Sequence, residues 1–195
     1  ICQGKPSSTV LASSSLDNVK HVQSLISSSG FRIYTNGDII GVELGGALKN
    51  IIALGAGVCD ALNLGDNTKA AFMTRGLAEM ARLGVAAGAE AITFAGLAGV
   101  GDLIATCSSP LSRNHQVGER LARGETLEQI HASMPHVAEG VDTTAAAAVL
   151  ADALGVDMPI TKATYEVLFN GVRVQDAITA LLGRVPAPEW AGVWP

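Results

Sequence analysis

Three residues in this sequence have the type and setting that chemistry needs: Lys49, Asp102 and Arg113. Lys49 interrupts GGALKNIIALGAG, an otherwise small and apolar run that reads as a helix buried on most of its circumference. Its same-face neighbours at i−4, i−3, i+4 and i+7 are Gly45, Gly46, Ala53 and Ala56. Glycine inside a helix costs roughly 0.5–1 kcal/mol relative to alanine, so this face gives up helix stability for space. Two readings fit. Either helices pack closely here and the lysine reaches solvent along its stem, or the space is a pocket whose floor carries a proton-donating ammonium. Asp102 follows GLAGVG, whose glycines let backbone approach something closely. The spacing is not the dinucleotide fingerprint G-x-G-x-x-G. Asp102 is therefore either an ordinary helix cap or a carboxylate brought to a site. In SSPLSRNHQ, Ser112 is a candidate N-cap that places Arg113 and Asn114 in a first helical turn. A cation there opposes the helix dipole, and an anion held by the guanidinium and free backbone N–H groups resolves the conflict. A solvated surface arginine is the competing reading.

The other polar residues carry weaker signals. His21, His115, His131 and His136 share no ligand spacing, and Cys2, Cys59 and Cys107 lie far apart, so no metal site is expected. Glu79 and Arg82 read as an i, i+3 surface pair. Thr106 and Cys107 read as packing residues.

These residues are positioned by a chain that changes character after Asn36. STVLASS, then LDNVKHVQSLISS, then FRIYTN predict a strand, a helix and a second strand, a unit too small to bury its own faces. From Asp38 onward helical signals dominate. Helices are expected over about 38–62, 68–87, 89–94 and 112–123, with a capping box at Thr126, and then over 142–154, 162–169 and 174–182. The tail RVPAPEWAGVWP is Pro-punctuated and reads as irregular.

With 48% hydrophobic residues the chain has material for a substantial core. A net charge of −5 and no basic cluster exclude a nucleic-acid footprint. The apolar windows are broken by Lys49, Asp60 or Glu90, and none gives about 20 uninterrupted apolar residues, so no membrane insertion is expected. Odd, scattered cysteines fit a reducing, cytoplasmic compartment. The first residues lack a signal peptide's pattern and an initiator Met, and read as the interior of a longer protein.

Taken in order, GVELGGALKNIIALGAG, TRGLAEMARLGVAAGA, GLAGVGDLIATC with SRN, VAEG and MPIT resemble the bacterial NAD(P)-dependent sn-glycerol-3-phosphate dehydrogenases across about Phe31 to Leu182. The resemblance implies a mainly α fold, the all-helical C-terminal dehydrogenase domain (6-phosphogluconate dehydrogenase C-terminal-like), behind a small β-α-β remnant of a Rossmann domain. The implied division is residues 1–36 for the remnant, 37–184 for the helical substrate-binding and catalytic domain and 185–195 for the tail. The implied reaction interconverts sn-glycerol 3-phosphate and dihydroxyacetone phosphate with NAD or NADP and supplies phospholipid synthesis. By resemblance Lys49 is the proton acceptor and Asp102 lies beside it. Thr106, Ser112, Arg113 and Asn114 bind substrate, and Arg113, Val137 and Glu139 contact the cofactor. A small-molecule substrate is implied, and a homodimer is compatible. No G-x-G-x-x-G follows a strand in this chain, so the main dinucleotide cradle is missing and the chain alone is expected to be inactive or nearly so. Two alternatives remain at this level. One is another dehydrogenase pairing a Rossmann with a helical domain, of 3-hydroxyacid or 6-phosphogluconate type. The other is a non-catalytic helical dimerisation module.

Overall fold

A computed structural model of the chain describes residues 3–134, 138–186, 188–189 and 191–193. The chain begins with β1 (Ser7–Ala12), α1 (Leu16–Ile26) and β2 (Phe31–Asn36). The strands pair in parallel, Ser7 opposite Phe31 and Ala12 opposite Asn36, the outcome a helical crossover demands. Ser15 caps α1 through a side-chain bond from the Asn18 N–H, and Gln23 ties α1 to β2 by donating to the Ile33 carbonyl at 2.7 Å.

The remainder is helical: α2 (Ile39–Ala61), α3 (Asp66–Ala86), α4 (Ala91–Phe94), a π-helical turn (Leu97–Gly101), α5 (Asp102–Ser108), α6 (Arg113–Ala122), α7 (Leu127–Ser133), α8 (Glu139–Leu154), α9 (Pro159–Phe169) and α10 (Val174–Leu182). α2 is the axle. α3, α5, α6 and α8 pack around it, which is why its sequence is apolar on nearly every side. By length and composition α2 and the stretch 91–108 could each cross a bilayer. In this fold the apolar surface of α2 instead meets Met80, Leu83, Phe94 and Leu103 in one core.

Local capping explains where α2 starts. The Asp38 carboxylate accepts from the Gly41 N–H at 2.8 Å, and also from the Glu90 N–H at 2.9 Å and the Thr93 hydroxyl at 2.7 Å. One side chain thus holds the starts of α2 and α4 together. Burial is the largest single influence and raises the pKa of this carboxyl, but the three donors together hold it below its usual range.

Four expectations need correction. The GLAGVG segment forms a π-helical turn that runs directly into α5. α8 begins at Glu139, earlier than the local pattern suggests, because Asn114 Oδ1 on α6 accepts from the Gly140 N–H at 2.8 Å. α9 begins at Pro159 for the same kind of reason: Glu79 on α3 accepts from the Ile160 N–H at 2.5 Å and the Thr161 N–H at 3.2 Å. Glu79 is therefore no surface partner of Arg82. It is 2% exposed and caps a helix 81 positions away. The described residues of the tail lie in no helix or strand but are tied down. Arg75 donates to the Glu189 carbonyl at 2.6 Å, Arg82 to the Ala191 carbonyl at 2.7 Å, and Val193 enters the main core.

Candidate active site

Lys49 and Asp102 lie 53 positions apart and form an ion pair, Nζ donating to Oδ2. The lysine side chain is 18% exposed and the carboxylate 38%, so the pair is half-buried, with one side open. The π turn makes this meeting possible. A β-carbon on Gly45 would lie 2.4 Å from the Ala98 carbonyl oxygen, so only glycine lets α2 approach the turn that delivers Asp102. The small residues around Lys49 therefore divide by role. Gly45 serves close approach and Ala53 and Ala56 are fully buried packing residues, whereas a β-carbon on Gly46 would meet nothing within 4 Å. Of the four, Gly46 gives the lysine its open space.

A cleft of about 430 Å³ opens there, lined by Gly46, Lys49, Asn50, Thr106, Ser112, Arg113, Asn114 and Glu139 together with Ala105, Ser109 and Leu111. Three separate segments thus reach one site. Thr106 donates its hydroxyl to the Asp102 carbonyl at 2.7 Å, a back-bond within α5, and its Oγ1 lies 3.5 Å from Asp102 Oδ1. Ser112 Oγ accepts from the His115 N–H at 3.3 Å and so caps α6. Arg113 stands in the first turn of that helix, half-exposed, with Glu139 Oε1 at 3.8 Å. Asp102 is the first residue of α5 and makes no side-chain capping bond there; its carboxylate serves Lys49.

Asn114 is tied into the scaffold. Its Nδ2 donates to Asn50 Oδ1 at 2.9 Å while its Oδ1 caps α8, so one buried amide joins α2, α6 and α8 beneath the cleft. Sequence reasoning assigned nothing to Asn50, although it follows Lys49 directly and its place inside an apolar helix was the available signal. Val137 lies outside the described residues. Burial pushes the Cys107 thiol up to about 12, so it supplies no thiolate, and burial raises Cys59 in the same direction.

The arrangement supports acid–base chemistry beside an anion grip. An amine oriented by a carboxylate can exchange a proton with a substrate hydroxyl, and a guanidinium at a helix start can hold a phosphate. Arg113 and Glu139 stand at the cleft wall, and the first turn of α8 has no capping side chain of its own.

Fold and cleft together define a class: a helical domain that carries a half-buried lysine–carboxylate pair beside a polar, arginine-lined cleft. The family model for the C-terminus of NAD-dependent glycerol-3-phosphate dehydrogenase matches residues 38–179, and the chain belongs to that family. It is 58% identical over 178 residues to glycerol-3-phosphate dehydrogenase [NAD(P)+] of Bacillus thuringiensis, covering 91% of this chain and 52% of that protein. A Bacillus cereus relative of the same name matches equally. The crystal structure of the glycerol-3-phosphate dehydrogenase from Coxiella burnetii superposes with a TM-score of 0.89 at 37% identity, covering 93% of this chain and 56% of that one. The Saccharomyces cerevisiae enzyme superposes with a TM-score of 0.81 at 26% identity, over 91% of this chain and 54% of its own. The chain thus spans about half the length of the curated relatives it matches.

Proposed function

We propose that this chain is the substrate-holding half of an NAD(P)-dependent glycerol-3-phosphate dehydrogenase, with residues 1–36 belonging to its nucleotide-binding domain. The observation that carries the reading is that Lys49, ion-paired to Asp102, lines the same cleft as Arg113. NAD or NADP, when bound, accepts the hydride from C2 of glycerol 3-phosphate or returns it to dihydroxyacetone phosphate. Lys49, as the amine, takes the C2 hydroxyl proton when the alcohol is oxidised. As the ammonium it returns that proton to the developing alkoxide in the reverse direction, and it polarises the ketone beforehand. Asp102 orients Nζ and balances its charge, and Thr106, in the cleft wall, meets the substrate. Arg113 grips the phosphate, with the Ser112-capped first turn of α6 offering backbone N–H groups beside it. Asn114 holds this grip against α2. Arg113 and Glu139, in the cleft wall, would contact the bound cofactor.

The compartment that fits this reading is the cytoplasm, and the product feeds phospholipid synthesis. Substrate phosphate, without nucleic acid or membrane, is the partner chemistry, and a homodimer is compatible with it. The family match disfavours the 3-hydroxyacid and 6-phosphogluconate types and the dimerisation module. The test is NAD(P)-linked turnover of glycerol 3-phosphate by the whole protein carrying Lys49→Met. Removal of the proton-transfer group lowers kcat by about 10²–10⁴-fold. Turnover equal to the parent's would return the reading to a non-catalytic module.

A further inference from the structure

Arg113 and Asn114 ride on the first turn of α6, so the position of the anion grip relative to Lys49 depends on how α6 is set along α2. The backbones of the two helices nearly touch. A β-carbon on Gly57 would lie 2.0 Å from the His115 carbonyl oxygen, and one on Gly118 would lie 1.8 Å from the Leu54 carbonyl oxygen. Such close glycine-lined contact fixes separation but offers little to fix sliding or rotation.

Two polar contacts do: the Asn114–Asn50 bond at the start of α6 and a second one made by His115 near the end of α2. His115 is only 4% exposed, and its Nε2 lies 2.7 Å from Asp60 Oδ2 near the end of α2. An ionised carboxylate only accepts, so Nε2–H donates. The same Oδ2 accepts from Lys69 Nζ on α3 at 2.5 Å. Burial, the largest single influence, raises the Asp60 carboxyl, but hydrogen bonds from Lys69 and His115 together hold it below its usual range. His115 Nδ1 is buried with no hydrogen-bond partner among the described residues, and Glu119 Oε1 is 3.7 Å away. Leaving a ring nitrogen buried and unpaired is unfavourable. The imidazole stays because Asp60 on one side and the packed α2–α6 backbones on the other determine its place. None of Asp60, Lys69 and His115 lines the cleft.

We propose that the Asp60–His115 pair is a positioning device: it sets the register of α6 on α2, and so the place of the organic-phosphate grip relative to Lys49. Asp60 and His115 are positioning residues that act through Arg113 and Asn114. The inference rests on the reading of the cleft as a glycerol phosphate site.

The test uses the 195-residue chain. Glycerol 3-phosphate affinity is measured by calorimetry, and hydrogen exchange of the Asn114 side-chain amide, held on Asn50, is measured by NMR. His115→Ala weakens the affinity about ten-fold, since small misplacement of a binding group is costly, and it speeds the Asn114 exchange by a similar factor. His115→Gln, which returns a donor towards Asp60, recovers both to within about three-fold of the parent. A purely structural role predicts a lower melting temperature with affinity and exchange unchanged in the folded variant, and that result overturns the proposal. So does a Gln variant no better than Ala. If His115→Ala does not fold, Asp60→Ala removes the acceptor instead, and unchanged affinity and exchange there overturn the proposal equally. If the parent chain fails to bind glycerol 3-phosphate, the Asn114 exchange alone decides the register claim, and turnover by the whole protein decides the functional reading.

Discussion

α1 and α2 both carry apolar residues at helical spacing, yet they live in different surroundings. Along α2, Leu48, Ile51, Ile52 and Leu54 are at most 3% exposed, because helices surround it. Along α1 only Val19 is buried, while Leu16, Leu25 and Ile26 are 57%, 68% and 46% exposed. The parallel pair β1–β2 explains the difference. Parallel strands normally lie in larger sheets with both faces covered, and two strands with one helix offer too little surface to bury a helix face. The helical domain closes its own core, and residues 7–36 lean on it through contacts of β1 with α2 and the π turn.

This contrast can be broken by substitution. Ile52→Ala removes a side chain that is 1% exposed from the main core, and the fold loses about 2–5 kcal/mol in urea unfolding. A loss below 1 kcal/mol would mean α2 is not the centre of that core.

A smaller effect, with a sign of its own, comes from Glu79. Burial, only partly offset by the Ile160 and Thr161 N–H groups, pushes its carboxyl up to about 7. A folded-state value above the unfolded one means that the native protein holds the proton more tightly. The stabilisation is complete below the unfolded value and is lost as pH rises through about 7. The carboxyls of Asp38 and Asp60 are held low, so their contributions fade only as pH falls through their own acidic range. Unfolding free energy measured between pH 5 and 8 therefore declines with rising pH, and Glu79→Gln flattens that slope. A slope unchanged by Glu79→Gln would assign the decline to other groups.

The smallest effect sharpens the comparison from the other side. Leu25→Ser, at a site 68% exposed, changes stability by no more than about 0.5 kcal/mol. A loss as large as that of Ile52→Ala would show that another surface covers α1 in solution.

Helix starts mark the boundary between what the sequence shows and what it hides. The starts at Arg113 and Leu127 were legible from Ser112 and Thr126 and those at Leu16 and Ile39 from the onset of helical spacing, and all four are capped from the adjacent position. The starts of α8 and α9 were misplaced because their first N–H groups are satisfied by Asn114 and Glu79, on other helices. No local pattern records a partner 26 or 81 positions away.

The candidate site divides along the same line. Lys49 in a small, apolar helix, Asp102 behind three glycines and Arg113 behind a capping serine were all readable, because each residue type conflicts with its immediate surroundings. What those surroundings were for was not readable. Gly45 resembles Gly46 in the sequence, yet one lies against the Ala98 carbonyl and the other opens on the cleft. Asn50, Asp60 and His115 drew no functional reading because their partners are distant in the chain. By itself the sequence determined the helical composition of the domain, its locally capped boundaries and the identity of the charged groups, since these follow from spacing and from short-range hydrogen bonds. Only the tertiary structure decided which charges meet, which glycines serve contact and which serve space, and which remote side chains start α8 and α9. Those depend on distances between segments that the chain brings together only when its core closes.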